Sequence, residues 1–144
     1  MIGAEKDCVF CGIVDGTISS SKILESEKVI AFTALDGGYP IIATKRHIKN
    51  WSDHNLDEDT VTEIAITQMH LVRAIMAIHG EGVSIISNNG KAAGQDIDHL
   101  HVHIMPRKLG DRLVRLERGE RFNRAQLDEN ASQYRTRLIA LGLI

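Results

Sequence analysis

Between Asp98 and Arg107 apolar and polar positions alternate without a break: Leu100, Val102 and Ile104 interleave with His99, His101 and His103. A period of two is that of a β-strand, whose successive side chains leave on opposite faces. The pattern predicts a strand with the three apolar residues toward a core and the three imidazoles on a common outer face. Neighbouring imidazoles would then lie about 6.5 Å apart and the outer two about 13 Å apart. That spacing suits separate tasks better than three ligands on one ion, although an adjacent pair could converge on a metal.

Apolar runs at residues 29–32 and 40–44 read as short strands, and Leu35-Asp36-Gly37-Gly38-Tyr39 between them as the turn of a hairpin. After the polar stretch at 49–59 the period lengthens. Val61, Ile64, Ala65, Met69, Val72, Ile75 and Met76 recur at helical spacing. Thr60 with Glu63 has the arrangement of a capping box, and Gly80 after His79 suits a helix end. Residues 83–87 form a further strand, followed by the turn Asn88-Asn89-Gly90, a loop through Gly94 and the histidine strand, so a second hairpin is expected. Leu127, Ala131, Tyr134, Leu138 and Leu141 predict a helix over 125–144. Strands and helices segregated in this way predict an α+β fold, an antiparallel sheet with a long central helix and a C-terminal helix.

With 144 residues and no Pro/Gly/Ser-rich linker, a single domain spanning 1–144 is expected. The net charge is only −2, with both signs interspersed, which argues against a broad electrostatic footprint for nucleic acid or an anionic membrane. Any phosphate site must be local. The N-terminus lacks the apolar stretch of a signal peptide and no later run approaches the length of a membrane span, so a cytoplasmic protein is expected. Cys8 and Cys11 are spaced as in metal knuckles and redox pairs rather than loop-stapling disulfides.

A neutral imidazole is a competent nucleophile toward phosphorus or carbonyl carbon at neutral pH. His101, flanked by an imidazole on each side, is the best-placed candidate. His103 could hydrogen-bond a phosphate above it as charge builds on the non-bridging oxygens. The competing reading is an exposed strand face whose histidines pair with backbone or water. Three imidazoles on one face favour chemistry, since a solvated face has no physical need for that side chain.

Around this strand the chain resembles the histidine triad (HIT) superfamily, whose motif alternates three histidines with apolar residues. The resemblance is carried by Asn88-Asn89-Gly90, Ala93-Gly94-Gln95, His99 through Met105 and Pro106-Arg107. It extends upstream to the segment from Cys8 to Val14, to residues 29–32 and to Lys45-Arg46-His47-Ile48. It implies an antiparallel sheet with two helices per subunit, a homodimer, and hydrolysis at the α-phosphorus of a nucleoside phosphoramidate or dinucleoside polyphosphate. It assigns nucleophilic attack to His101 through a nucleotidyl-histidine, and phosphate contact and leaving-group assistance to His103. Asn88, Gly94 and Gln95 match positions around the phosphate of a purine nucleotide. No catalytic cofactor is required. The alternative is a nucleotide-binding or interaction module of the same fold with little turnover.

Tetrahedral zinc in a structural site needs four ligands, and Cys8 with Cys11 offers two. The family resemblance implies His47 and His99 as the other two; a pair of reduced thiols or a redox pair is the competing reading. Two positions depart from the family pattern. Tyr39 stands where many members have a histidine near the phosphate, and a phenol cannot carry positive charge at neutral pH. Ala34 stands where an acidic residue often holds the ribose hydroxyls, which leaves Asp36 as the candidate for that task or simply as a turn former.

Overall fold

The histidine strand is an interior strand of the sheet, paired on both sides. In chain order the strands are β1 (Lys22–Glu25), β2 (Val29–Thr33), β3 (Pro40–Thr44), β4 (Val83–Ile86) and β5 (His101–Pro106); the helices are α1 (Val9–Asp15), α2 (Glu58–His79) and α3 (Arg124–Ala140). The computed structural model describes residues 6–35, 37–111 and 123–140. The chain divides into two compact units, Met1–Asp111 and Arg112–Ile144. The second unit contains α3, the expected C-terminal helix; positions 141–144 of that expectation lie outside the described residues.

In the first unit the five strands form one antiparallel sheet of order β1-β2-β3-β5-β4. The first hairpin pairs Val29 with Thr44 and Thr33 with Pro40, and the second pairs Val83 with Pro106 and Ile86 with His103, as the two apolar patterns predicted. Alternation divides the side chains between two cores. Val29, Ala31, Ile42, Val102 and Ile104 point to one face, where Ile64, Leu71 and Ile75 of α2 cover them. Ile30, Phe32, Ile41 and Ala43 point to the other, where Phe10 of α1 joins them. The unbroken apolar run of β2 thus reflects burial on both faces, which a half-solvated strand would not need.

The helix α2 is long and apolar enough to cross a membrane by length and composition. Its buried stripe of Ile64, Leu71 and Ile75 nevertheless packs on the sheet, so its apolar character is used in the core of this unit. It begins earlier than the capping box suggested. The N-cap is Asp57, whose carboxylate accepts from the Thr60 backbone N–H at 2.8 Å, while Glu63 accepts from the Ser26 hydroxyl and the Lys28 N–H. Glu63 is thereby a tertiary clamp between α2 and the β1–β2 turn. Gly80 ends the helix at φ 74°, a left-handed conformation suited to glycine.

Two elements escaped the sequence pattern. Helix α1 has seven residues, too few for an amphipathic period to register, and begins with Cys8, whose sulfur accepts from the Cys11 N–H at 3.4 Å. Strand β1 is a four-residue edge strand, mostly exposed, with a register shift between Lys22 and Leu24.

Candidate functional site

The three histidines do not share one exposed face as the alternation suggested. The strand begins at His101; His99 precedes it in an irregular segment and is fully buried, His101 is buried and His103 half-buried. Helix α1 covers the face that sequence left to solvent. The apolar half of the expectation holds, since Leu100, Val102 and Ile104 all lie in the core.

Each imidazole has a different environment. The Nε2–H of His99 donates to the Thr44 carbonyl at 2.7 Å, so the unprotonated nitrogen is Nδ1. That Nδ1 lies 3.3 Å from the Cys8 sulfur and 3.5 Å from the Cys11 sulfur, while His47 Nδ1 lies 3.2 Å from the Cys11 sulfur. The ligand atoms of Cys8, Cys11, His47 and His99 all fall within 4.8 Å of one another, and the three sulfur–nitrogen contacts match the roughly 3.3–3.8 Å edges of a tetrahedron with metal–ligand bonds of about 2.0–2.3 Å. Two thiols and two imidazoles, with Nδ1 of both His47 and His99 within 3.5 Å of a thiol sulfur, are a donor set that fits zinc. Burial pushes the pKa of His99 down to about 4, with the neighbouring His47 and His101 adding to the shift, which keeps the ring in the neutral form a metal ligand needs.

His101 is oriented the opposite way. Its Nδ1–H donates to the His99 carbonyl at 2.7 Å, which leaves Nε2 with the lone pair. The strand start is fixed from behind, because the Ser87 hydroxyl donates to the His101 carbonyl at 2.8 Å and itself accepts from the Trp51 indole N–H at 2.9 Å. β4 ends at Ile86, so this hydroxyl continues the ladder where strand pairing stops. His103 sits with its ring centroid 4.9 Å from that of His101, and its Nδ1 is buried without a hydrogen-bond partner among the described residues. A proton on that nitrogen would have no acceptor, so it belongs on Nε2. Burial lowers the pKa of both His101 and His103, and both rings are neutral at neutral pH.

His101 and His103 line a cleft of about 740 Å³ together with Phe10, Phe32, Tyr39 and Asp96, and Gly94 lies in its wall. No lysine or arginine is among the described residues that line it, and Asp96 is the one carboxylate. Tyr39 stands edge-on to His103 at 5.6 Å between ring centroids. Gly94 takes φ 88° at the end of a 3₁₀ turn, and Asn88 Nδ2 would lie 3.7 Å from a Cβ built there, so Asn88 and Gly94 adjoin. Asp36, the candidate ribose contact, lies outside the described residues.

Gln95 is 4% exposed and its amide is occupied by the protein itself. Its Nε2 donates to the carbonyls of Lys49 (2.7 Å) and Ile97 (3.0 Å), and its Oε1 accepts from the Gly90 N–H at 2.8 Å. It shapes the loop that carries Gly94. Gln95→Leu, which keeps the volume and removes these bonds, is expected to cost about 1–3 kcal/mol and to speed amide hydrogen exchange at Gly90. Unchanged protection at Gly90 would show that the loop holds without the amide. Arg107 faces away from this chemistry in its bonding, paired with Asp111 and donating to the Ser84 hydroxyl at 3.0 Å.

Phe10, Thr44, Ser87 and Asp96 were not among the candidates read from sequence. Thr44 and Ser87 act across 55 and 14 residues through single backbone or hydroxyl groups, which leave no local pattern. Phe10 does leave one, a large aromatic between two cysteines.

Comparison with known proteins agrees with this geometry. An adenosine 5′-monophosphoramidase of Candida albicans is 29% identical over 115 residues, 74% of each chain. A crystal structure from Streptococcus mutans is similar with a TM-score of 0.83 at 29% identity, covering 96% of this chain and 89% of that one. A zinc-bound histidine triad family protein from Mycobacterium smegmatis is similar with a TM-score of 0.67 at 29% identity, covering 86% of this chain and 97% of that one. The family model for the HIT domain matches residues 15–110, a span that holds the whole sheet and α2, and the chain belongs to that family.

Proposed function

We propose that the protein is a nucleotide hydrolase that cleaves at the α-phosphorus, with a nucleoside phosphoramidate as its preferred class of substrate. The observation that carries this reading is the pair of neighbouring imidazoles with different partners: the His101 Nδ1 bond to the His99 carbonyl leaves its lone pair at Nε2, and the lack of any partner at His103 Nδ1 among the described residues favours a proton on its Nε2. In the proposed reaction His101 Nε2 forms a bond to phosphorus and the P–N bond breaks. His103 Nε2–H hydrogen-bonds the phosphoryl oxygens and keeps its proton, while the leaving nitrogen takes a proton from solvent as the P–N bond breaks and departs as the neutral amine. Water then attacks the nucleotidyl-histidine, the N–P bond breaks, and a nucleoside monophosphate is released. The Nδ1–H bond to the His99 carbonyl is kept throughout and stabilises the positive charge that His101 acquires while phosphorylated at Nε2.

The cleft supports an uncharged leaving group over a polyphosphate. A departing polyphosphate needs cations to offset its charge, and the described lining residues supply none. The phenol of Tyr39, beside His103, adds a polar group without charge. The name of the Candida albicans relative points the same way. The apolar lining, with Phe32 and Ile13 among it, suits a purine. Asn88 and Gly94 border the phosphate in this reading, and Gln95 holds their loop. Phosphorus NMR of products from adenosine 5′-phosphoramidate and from diadenosine tetraphosphate tests the reading. AMP from the phosphoramidate at a rate at least about tenfold higher is expected. Turnover of neither, with both nucleotides still bound, would favour a binding module instead.

Cys8, Cys11, His47 and His99 would hold a structural zinc ion. When bound, it supplies a fixed tetrahedral cross-link between the start of α1, the segment after β3 and the segment before β5. The chain's residues that react lie outside the ligand set. The reading also includes a homodimer, supported by the exposed Ile66, Met69 and Met76 on one side of α2 and by Ile85 on the edge strand β4. Sedimentation at micromolar concentration should give a dimer, and a clean monomer would remove this part.

A further inference from the structure

Phe10 lies between the two thiols in sequence and against two of the triad imidazoles in space. Its ring meets His101 edge-on, with centroids 4.9 Å apart and planes at 74°, and meets His99 at 5.8 Å and 85°. Phe32 closes its remaining side at 5.5 Å. The residue is 5% exposed, so the ring is a packed wall rather than a surface group.

Besides the contact with the neighbouring His103 ring, two restraints act on the His101 ring. One is the hydrogen bond from Nδ1 to the His99 carbonyl, which fixes one edge. The other is the flank of Phe10. A single hydrogen bond leaves an imidazole free to pivot about it; a rigid aromatic against the ring face removes that freedom. Both restraints originate at the proposed metal ligands. His99 is one, and Phe10 is held in the first turn of a helix that begins at Cys8 and contains Cys11. A seven-residue helix has little stability of its own, so the placement of Phe10 depends on what fastens the thiols.

We infer that Phe10 is a positioning residue through which occupation of the Cys8–Cys11–His47–His99 site fixes the orientation of the His101 imidazole. The inference rests on the hydrolase reading for its kinetic consequence. Its structural content, a contact between Phe10 and His101 that depends on the metal, stands apart from turnover. Leucine at position 10 would fill most of the volume without the edge-to-face ring contact, and alanine would remove the contact altogether.

The test compares zinc-loaded wild type, Phe10→Leu, Phe10→Ala and Leu71→Ala, the last a core truncation on α2, on the opposite face of the sheet from Phe10. Metal content, kcat and KM for adenosine 5′-phosphoramidate, and NMR cross-peaks between the Phe10 and His101 rings are measured. Phe10→Leu should keep stoichiometric zinc and a KM within about threefold of wild type while kcat falls about tenfold, and Phe10→Ala should lose about 100-fold in kcat. Leu71→Ala should keep its kcat. In wild type the ring cross-peaks should vanish on chelation while contacts between β3 and β5 persist. A wild-type kcat for Phe10→Leu, a loss confined to KM, or an equal loss in Leu71→Ala overturns the inference. So do ring cross-peaks that survive chelation, or melting of the whole sheet by the chelator. If wild type turns over no substrate, the hydrolase reading fails separately and the NMR result alone decides the role of Phe10.

Discussion

Replacing His101 with alanine is expected to lower AMP release from adenosine 5′-phosphoramidate about ten-thousand-fold, with nucleotide affinity nearly unchanged. The reason is that no other described group can take over. His103 is the nearest imidazole, but the same reasoning that gives His101 a lone pair facing outward gives His103 a proton there. His99 is turned inward with Nε2 on the Thr44 carbonyl and Nδ1 on the thiols. The affinity should survive because the cleft wall is built mainly from Phe10, Ile13, Phe32 and Ile41, none of which depends on the His101 side chain for its backbone position. His103→Ala removes a donor and not the nucleophile, so a loss of about 10²–10³-fold is expected there. Wild type quenched in alkaline denaturant, where the N–P bond survives, should carry one nucleotidyl group on His101 by intact mass and peptide mapping at alkaline pH, and His101→Ala should carry none. A modified His103, or residual activity in His101→Ala within about tenfold of wild type, would sink the assignment of the nucleophile.

Legibility in the sequence varied with the range of the interaction that decides each element. The hairpins, α2 and the apolar face of β5 were readable because their signal is local: Ile64 to Ile75 and Leu100 to Ile104 repeat at the period of the element they form, and Val29 to Phe32 is a short continuous apolar run of strand length. The division of labour among the three histidines was readable only in part. Alternation correctly separates them from the core side, but it treats them as equivalent, and they differ through distant partners. Thr44 accepts from His99, the carbonyl of His99 accepts from His101, and His103 Nδ1 is without a partner. The capping box at Thr60 and Glu63 had the right residues at the wrong position, because Asp57 is a better acceptor one turn earlier and Glu63 finds Ser26 and Lys28. Likewise Gln95, matched to a substrate-lining position, spends its amide on three backbone groups that only the folded loop brings together. The four candidate metal ligands do converge, though 91 residues separate Cys8 from His99.

That separation underlies the second large effect expected, a loss of stability on the order of 3 kcal/mol when the metal is removed. The ion would close loops of 36 residues, between Cys11 and His47, and of 91 residues, between Cys8 and His99. Chain-entropy arguments give a cross-link over the longer span about 4.6 kcal/mol, and some is offset by the residual order of the unfolded chain. The α2 side of the sheet gains nothing from the ion, since its core of Ile42, Ile64, Leu71, Val102 and Ile104 is complete without it. The α1 side differs. There Phe10 and Cys11 are the helix residues with fully buried side chains, and Ile13 and Val14 are only partly buried against the same core. A chelator in reducing buffer should therefore lower the melting temperature by roughly 10–20 °C. Amide protection should fall first in α1 and last in β5. Cys11→Ser should start from the lower value, bind less than stoichiometric zinc and show no further shift with chelator. Protein that carries no zinc after growth in zinc-supplemented medium, or a melting temperature indifferent to chelation, would leave the four side chains as a buried polar cluster and would remove the anchor from α1.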